Sequence, residues 1–149
     1  MNVTEDTTLV ITRLFEASPA RVFDAWLTRE EWQSWIGPEG VDCVVFLLEP
    51  HIGGRYRLEM HMPAGGPIAV AGVFRIIDPP HTLSFTWGPE GDASRQSLVT
   101  LTFTEREGKT ELTLRQVGLG SAASRDQFRQ GWNSALNKLA RHVALEQSR

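Results

Sequence analysis

Only one stretch of this chain has the period of a long helix, and it is the last, Ser121 to Gln147. Phe128, Trp132, Ala135, Leu136, Leu139 and Val143 recur there at three- and four-residue steps, which places them on one stripe of a 3.6-residue helix. Arg129, Asn133, Asn137, Lys138 and Arg141 fill much of the other side. Ser124 and Gln127 have the spacing of a capping box, the pair that satisfies unpaired backbone N–H groups at a helix start, just after the loop-forming Gly118 and Gly120. About 22 helical residues rising 1.5 Å each reach about 33 Å, enough to cross a curved sheet. The rest of the chain has to supply that sheet.

Thr7 to Phe15 is β-branched and apolar and reads as a first strand, closed by Ala17-Ser18-Pro19. Ser18 as N-cap and Pro19 at the first helical position start a short amphipathic helix through Leu27. Thr28 is placed to cap a second one, Arg29 to Trp35, before Gly37-Pro38 stops it. Six further strands are expected at Val41 to Glu49, Arg55 to Met62, Ile68 to Ile77, Thr82 to Trp87, Gln96 to Glu105 and Lys109 to Val117. Turn residues rather than helices join them, which is the pattern of an antiparallel meander. Tyr56, Leu58, Met60 and Met62 alternate with Arg55, Arg57, Glu59 and His61, so one face meets a core and the other meets water. Leu83, Phe85 and Trp87, and Val99, Leu101 and Phe103, alternate with Thr and Ser in the same way, as Leu112 and Leu114 do with Thr113 and Arg115. The strands at Val41 to Leu48 and Val70 to Ile77 do not alternate, and their faces are not assigned.

With 149 residues and 41% hydrophobic content, the expectation is a single α+β domain over residues 1–149, a curved seven-stranded antiparallel sheet wrapped around the C-terminal helix. A net charge of −3 gives no field to attract nucleic acid. No apolar run approaches the ~20 residues that span a bilayer. A lone cysteine, Cys43, and no basic-then-apolar leader point to a reducing cytoplasm, where the Asn2-Val-Thr4 glycosylation triplet would stay idle. The expected state is a monomer or homodimer.

A bent sheet around one helix leaves room for a cavity on its concave side. The expected lining is Tyr56, Leu58, Met60, Met62, Phe85, Trp87, Leu101, Phe128, Trp132 and Leu136, with Trp35 near the mouth; the same residues could instead simply fill a core. Met and aromatic side chains suit a loosely specified apolar ligand. Signals for catalysis are sparse. His51, His61, His81 and His142 are scattered without metal-ligand spacing, so no metal or other cofactor is expected. Cys43 lies inside an apolar strand. Gly118-Leu-Gly120-Ser-Ala-Ala123 has the outline of a dinucleotide loop, but no parallel strand follows it. The polar groups that could serve a pocket are Glu49, His51, Tyr56, His81 and Gln116; no catalytic residue is assigned.

Seven segments taken in order resemble the START-like helix-grip superfamily and, within it, the family named for the C-terminal domain of the heat-shock protein 90 ATPase activator. They are Phe15-Glu-Ala-Ser-Pro-Ala-Arg-Val-Phe-Asp-Ala-Trp26, Trp35-Ile-Gly-Pro38, Pro50-His-Ile-Gly-Gly-Arg-Tyr56, Gly72-Val-Phe-Arg-Ile-Ile-Asp-Pro-Pro80, Leu83-Ser-Phe-Thr-Trp87, Thr110-Glu-Leu-Thr-Leu-Arg-Gln116 and Gly131-Trp132 near Leu136. The resemblance implies a β-α-α-β6-α order and a cavity between sheet and long helix, used in related families for lipids, polyketides, plant hormones or aromatic rings. Three functions follow as expectations: binding of a small hydrophobic molecule, a co-chaperone-like module with a chaperone partner in the stress response, or a polyketide cyclase or dehydratase-type enzyme.

Overall fold

The computed structural model describes residues 7–147, so the Asn2-Val-Thr4 triplet lies outside the described residues. The strands are β1 (Leu9–Phe15), β2 (Asp42–Leu48), β3 (Arg55–His61), β4 (Pro67–Asp78), β5 (Thr82–Pro89), β6 (Ser97–Arg106) and β7 (Lys109–Val117). The helices are α1 (Pro19–Leu27), α2 (Arg29–Trp35) and α3 (Ala122–Gln147). All seven strands form one curved antiparallel sheet in the order β1-β7-β6-β5-β4-β3-β2. The meander runs from β2 to β7, and the long-range pairing of β1 with β7, Leu9 opposite Gln116 through Phe15 opposite Thr110, brings the two ends of the sheet-forming sequence together.

Local chemistry explains most boundaries. Ser18 Oγ accepts from the Arg21 N–H, and Pro19 opens α1. Thr28 does not cap α2 with its side chain: its hydroxyl turns back and donates to the Asp24 carbonyl at 2.9 Å, closing α1 instead. The start of α3 also lies earlier than the Ser124–Gln127 spacing suggests. Ser121 Oγ accepts from the Ser124 N–H at 3.1 Å, so Ser121 caps the helix and Ser124 already lies in its first turn.

The two strands without alternation both carry register shifts, β2 between Val45 and Leu47 and β4 between Phe74 and Ile76. One inserted residue switches every later side chain to the opposite face, so no single period can fit either strand. A second irregularity sits between β4 and β5. Tyr56 pairs with Gly72, and its hydroxyl passes beneath β4 to donate to the Thr86 carbonyl on β5, while Thr86 Oγ1 accepts from the Val73 N–H at 2.9 Å. A Cβ on Gly72 would fall 2.0 Å from that carbonyl oxygen, so only glycine leaves the path open.

The core lies between the concave face of the sheet and the three helices. Val99, Leu101, Phe103, Leu112 and Leu114 meet Trp132, Ala135, Leu136, Leu139 and Val143 there, and α1 and α2 add Phe23, Trp26, Trp32 and Trp35. Outward faces carry Thr100, Thr102 and Thr113, as the alternation requires. One ionic cluster ties the helices together: Glu31 Oε1 lies 2.7 Å from Arg21 Nη2 and 2.7 Å from His142 Nε2. Burial pushes the Glu31 carboxyl up, but hydrogen bonds from His142 and Arg21 outweigh it and hold the group below its usual value.

Candidate functional site

Large aromatic rings fill most of the concave side, but not all of it. Trp132 on α3 stacks at 5.1 Å from Trp87 on β5, and Trp87 lies 6.1 Å from Tyr56, which in turn meets Trp32 edge-on at 5.1 Å. Outward from Trp87 and Trp132 the rings stop and a cavity of about 240 Å³ opens. Its roof is the face of α3 that carries Gln127, Phe128, Gly131 and Ala135; its floor is Met60 and Trp87; its side wall is the Ile36-Gly37-Pro38 turn. A second cavity of about 500 Å³ continues past Met60, Trp87 and Phe128, which line both. There the lining changes character, with Ile68 and Val70 from β4 joined by the polar Ser94, Arg95 and Ser124.

Two glycines shape the first cavity. Gly37 has φ +84°, and a Cβ there would lie 2.6 Å from Cys43 Sγ, so the turn can pass closely over β2. Gly131 stands in the interior of α3, and a Cβ there would meet no atom within 4 Å. The helix thus carries its least helix-stabilising residue short of proline at a position that lines the cavity and has open space where a Cβ would stand. The side wall is pinned to α3 by polar contacts. Lys138 Nζ donates to the Ile36 and Pro38 carbonyls at 3.3 Å each, and the Glu39 N–H donates to Ser134 Oγ at 2.6 Å. Burial pulls the Lys138 ammonium below its ordinary pKa.

Beneath the cavities lies a fully buried relay of side chains. Trp132 Nε1–H donates to Gln116 Oε1 at 2.9 Å, Gln116 Nε2–H donates to Ser97 Oγ at 2.8 Å, and the Ser97 hydroxyl donates to the Trp87 carbonyl at 2.8 Å. This relay fixes the Trp132 indole and ties it to the backbone of β5 at Trp87. Of the other polar groups singled out in the sequence, Tyr56 is held by Thr86 in the core, where burial drives its pKa well up. The Glu49 carboxylate accepts from the Arg55 N–H at 2.8 Å, and His51 and His81 are exposed; none of the three lines either cavity. Among the described residues, no group of three His, Cys, Asp or Glu is arranged to hold a metal ion.

The structure brings together Met60, Trp87, Phe128 and Trp132 of the sequence-predicted lining. Tyr56, Leu58, Phe85, Leu101 and Leu136 lie deeper, at 0–1% exposure, as packed core. Trp35 lines neither cavity: it is 1% exposed, with its indole N–H donated to the Ala25 carbonyl at 3.0 Å, although Ile36-Gly37-Pro38, which follow it directly, form the side wall of the first. Met62, just past the end of β3, is half-buried and lines neither cavity. The residues missed are Ile36, Gly37, Pro38, Gln127, Gly131 and Ala135 and the whole second compartment. The visible signal was Gly131, a glycine set beside the apolar stripe of a helix that has no other.

The profile of the Activator of Hsp90 ATPase homolog 1-like protein family matches residues 16–144. The chain belongs to that family. Solved structures agree with it over nearly their whole length. A protein of Chromobacterium violaceum superposes with a TM-score of 0.85 at 26% identity, covering 92% of this chain and 96% of that one. The AHSA1 protein of Silicibacter pomeroyi superposes at 0.77 with 29% identity, covering 93% and 99%. A Mycobacterium smegmatis protein gives 0.81 at 25% identity, over 98% and 96%. No curated protein matches the chain. Among the described residues, no helix is long and apolar enough to cross a membrane.

Proposed function

We propose that this member of the Hsp90 ATPase activator homolog 1-like family binds a small, largely apolar molecule between α3 and the sheet. One observation carries the reading: a cavity of about 240 Å³, lined by Gly131 where another residue would place a side chain, opens beside a core packed with aromatic rings. A helix that keeps a destabilising residue to preserve space is the pattern expected where function competes with stability. The Met60 thioether and the flat faces of Trp87 and Trp132 suit ligands of variable outline.

A screen of fatty alcohols, sterols, flavonoids and aromatic polyketides by thermal shift and tryptophan fluorescence tests this. A ligand at 100 times its dissociation constant stabilises the fold by about 2.7 kcal/mol. Saturable stabilisation with a change in tryptophan emission is the expected result, and no response from any class would count against it. The family description also supports a co-chaperone-like reading in which surface residues bind a chaperone partner. The two separate cleanly: filling the cavity at Gly131 abolishes ligand binding but leaves partner binding intact. A cyclase-type reaction would draw on the Tyr56 hydroxyl, which is committed to Thr86, so Tyr56→Phe is expected to lower stability by about 1 kcal/mol without changing ligand affinity.

A further inference from the structure

Of the residues lining the two adjoining cavities, which share Met60, Trp87 and Phe128, one carries a charge: Arg95, in the second. Its position is built into the fold. The single 3-10 turn Ala93–Arg95 folds back over β5 because residue 88 is glycine; a Cβ there would lie 2.7 Å from the Arg95 carbonyl and 2.6 Å from Gln96 Nε2. The acidic residues nearby in sequence are engaged elsewhere. Asp92 Oδ1 accepts from the Ser94 hydroxyl at 2.6 Å and from its N–H at 3.1 Å, and the Glu90 carboxylate pairs with Arg57 Nε at 2.6 Å. Among the described residues the Arg95 guanidinium has no hydrogen-bond or ion-pair partner, and neither does the half-buried Ser124 hydroxyl, which lines the same cavity. Arg95 and Ser124 therefore bring two donors to the lining of the second cavity, while the first, under Gly131 and Trp132, is lined by no charged residue.

From this juxtaposition we infer that the ligand is an amphiphile with a single anionic end, its apolar body under Gly131 and its carboxylate or equivalent anion at Arg95 and Ser124. The inference rests on the apolar-ligand reading above and adds orientation and charge to it. A guanidinium fork and a hydroxyl offer N–H and O–H donors to an anion and repel a cation, whereas a neutral alcohol gains only the apolar contact.

The test compares three probes of equal chain length, decanoate, 1-decanol and decyltrimethylammonium, titrated against the full chain and its Arg95→Gln variant by tryptophan fluorescence and calorimetry. Arg95 is exposed, so the variant keeps the fold. The expected result is decanoate binding about fivefold tighter than decanol, the upper range for a partly exposed ion pair, with the quaternary ammonium weakest. In Arg95→Gln the preference disappears while decanol affinity is unchanged. Equal affinity for decanoate and decanol in the natural chain, or a preference that survives Arg95→Gln, overturns the anionic-end assignment and leaves the apolar cavity standing. If none of the three binds, the apolar-ligand reading itself fails and takes this inference with it.

Discussion

Replacing Gly131 separates what the helix needs from what the cavity needs. In the interior of α3 (Ala122–Gln147) a glycine costs about 1 kcal/mol relative to alanine, and nothing lies within 4 Å of where the new Cβ would sit. Gly131→Ala therefore gains helix propensity without a clash, and the expected stabilisation is about 0.5–1 kcal/mol. For a chain of this size that is a rise in Tm of about 1–4 °C. Gly131→Leu pushes a branched side chain into the 240 Å³ space and packs it against Met60, Trp87 and Phe128. Its fold should be at least as stable as that of the parent, yet ligand-induced stabilisation should vanish. Differential scanning fluorimetry with and without a binding ligand reads both effects. A Gly131→Ala variant less stable than the parent would refute the claim that the position is kept open at the expense of the helix. A Gly131→Leu variant that still binds would put the ligand elsewhere.

Gln116→Leu keeps the volume but removes the acceptor of the buried Trp132 N–H, and urea unfolding should show a loss of about 1–3 kcal/mol; a loss below about 0.5 would mean the relay is dispensable. Gly72→Ala forces a methyl onto the Thr86 carbonyl and the Tyr56 ring, and a loss of about 1–3 kcal/mol is expected from the same measurement. Because the Glu31 carboxyl is held below its unfolded value, its contribution is present above pH about 4.5 and is lost as pH falls through the folded value. The Tm gap between the natural chain and Glu31→Gln should accordingly be full near pH 6 and close as pH falls below the ordinary carboxylate range, and a gap that does not change with pH would contradict the ionic cluster.

The fold was legible because periodicity is a local property. Thr100, Thr102 and Thr113 facing out against Val99, Leu101 and Leu112 decide the sheet faces, and the Phe128-to-Val143 stripe decides which side of α3 turns inward. Boundaries failed where one side chain had two possible partners. Thr28 could cap forward or bond back to Asp24, and Ser121 and Ser124 could each open α3. Faces failed in β2 and β4 because a bulge is a matter of pairing, not of composition. The site was legible only in part for a related reason. Sequence pattern identifies which residues point inward, but not how deep each one sits: Tyr56, Phe85 and Leu101 share their faces with Met60 and Trp87, yet only the latter two reach the space under α3. Arg95 was invisible because its place at the second cavity depends on Gly88 letting a turn fold back over the sheet.

The most direct measurement of the central claim is the set of tryptophan indole N–H signals in a nitrogen-15 correlation spectrum, followed while a neutral apolar probe such as 1-decanol is added. Trp87 and Trp132 line the cavity, whereas Trp35 does not, its indole N–H being held by the Ala25 carbonyl. A ligand under α3 gives saturable shifts of the Trp87 and Trp132 indoles that exceed any at Trp35. Saturable binding that leaves both of those signals in place would contradict it.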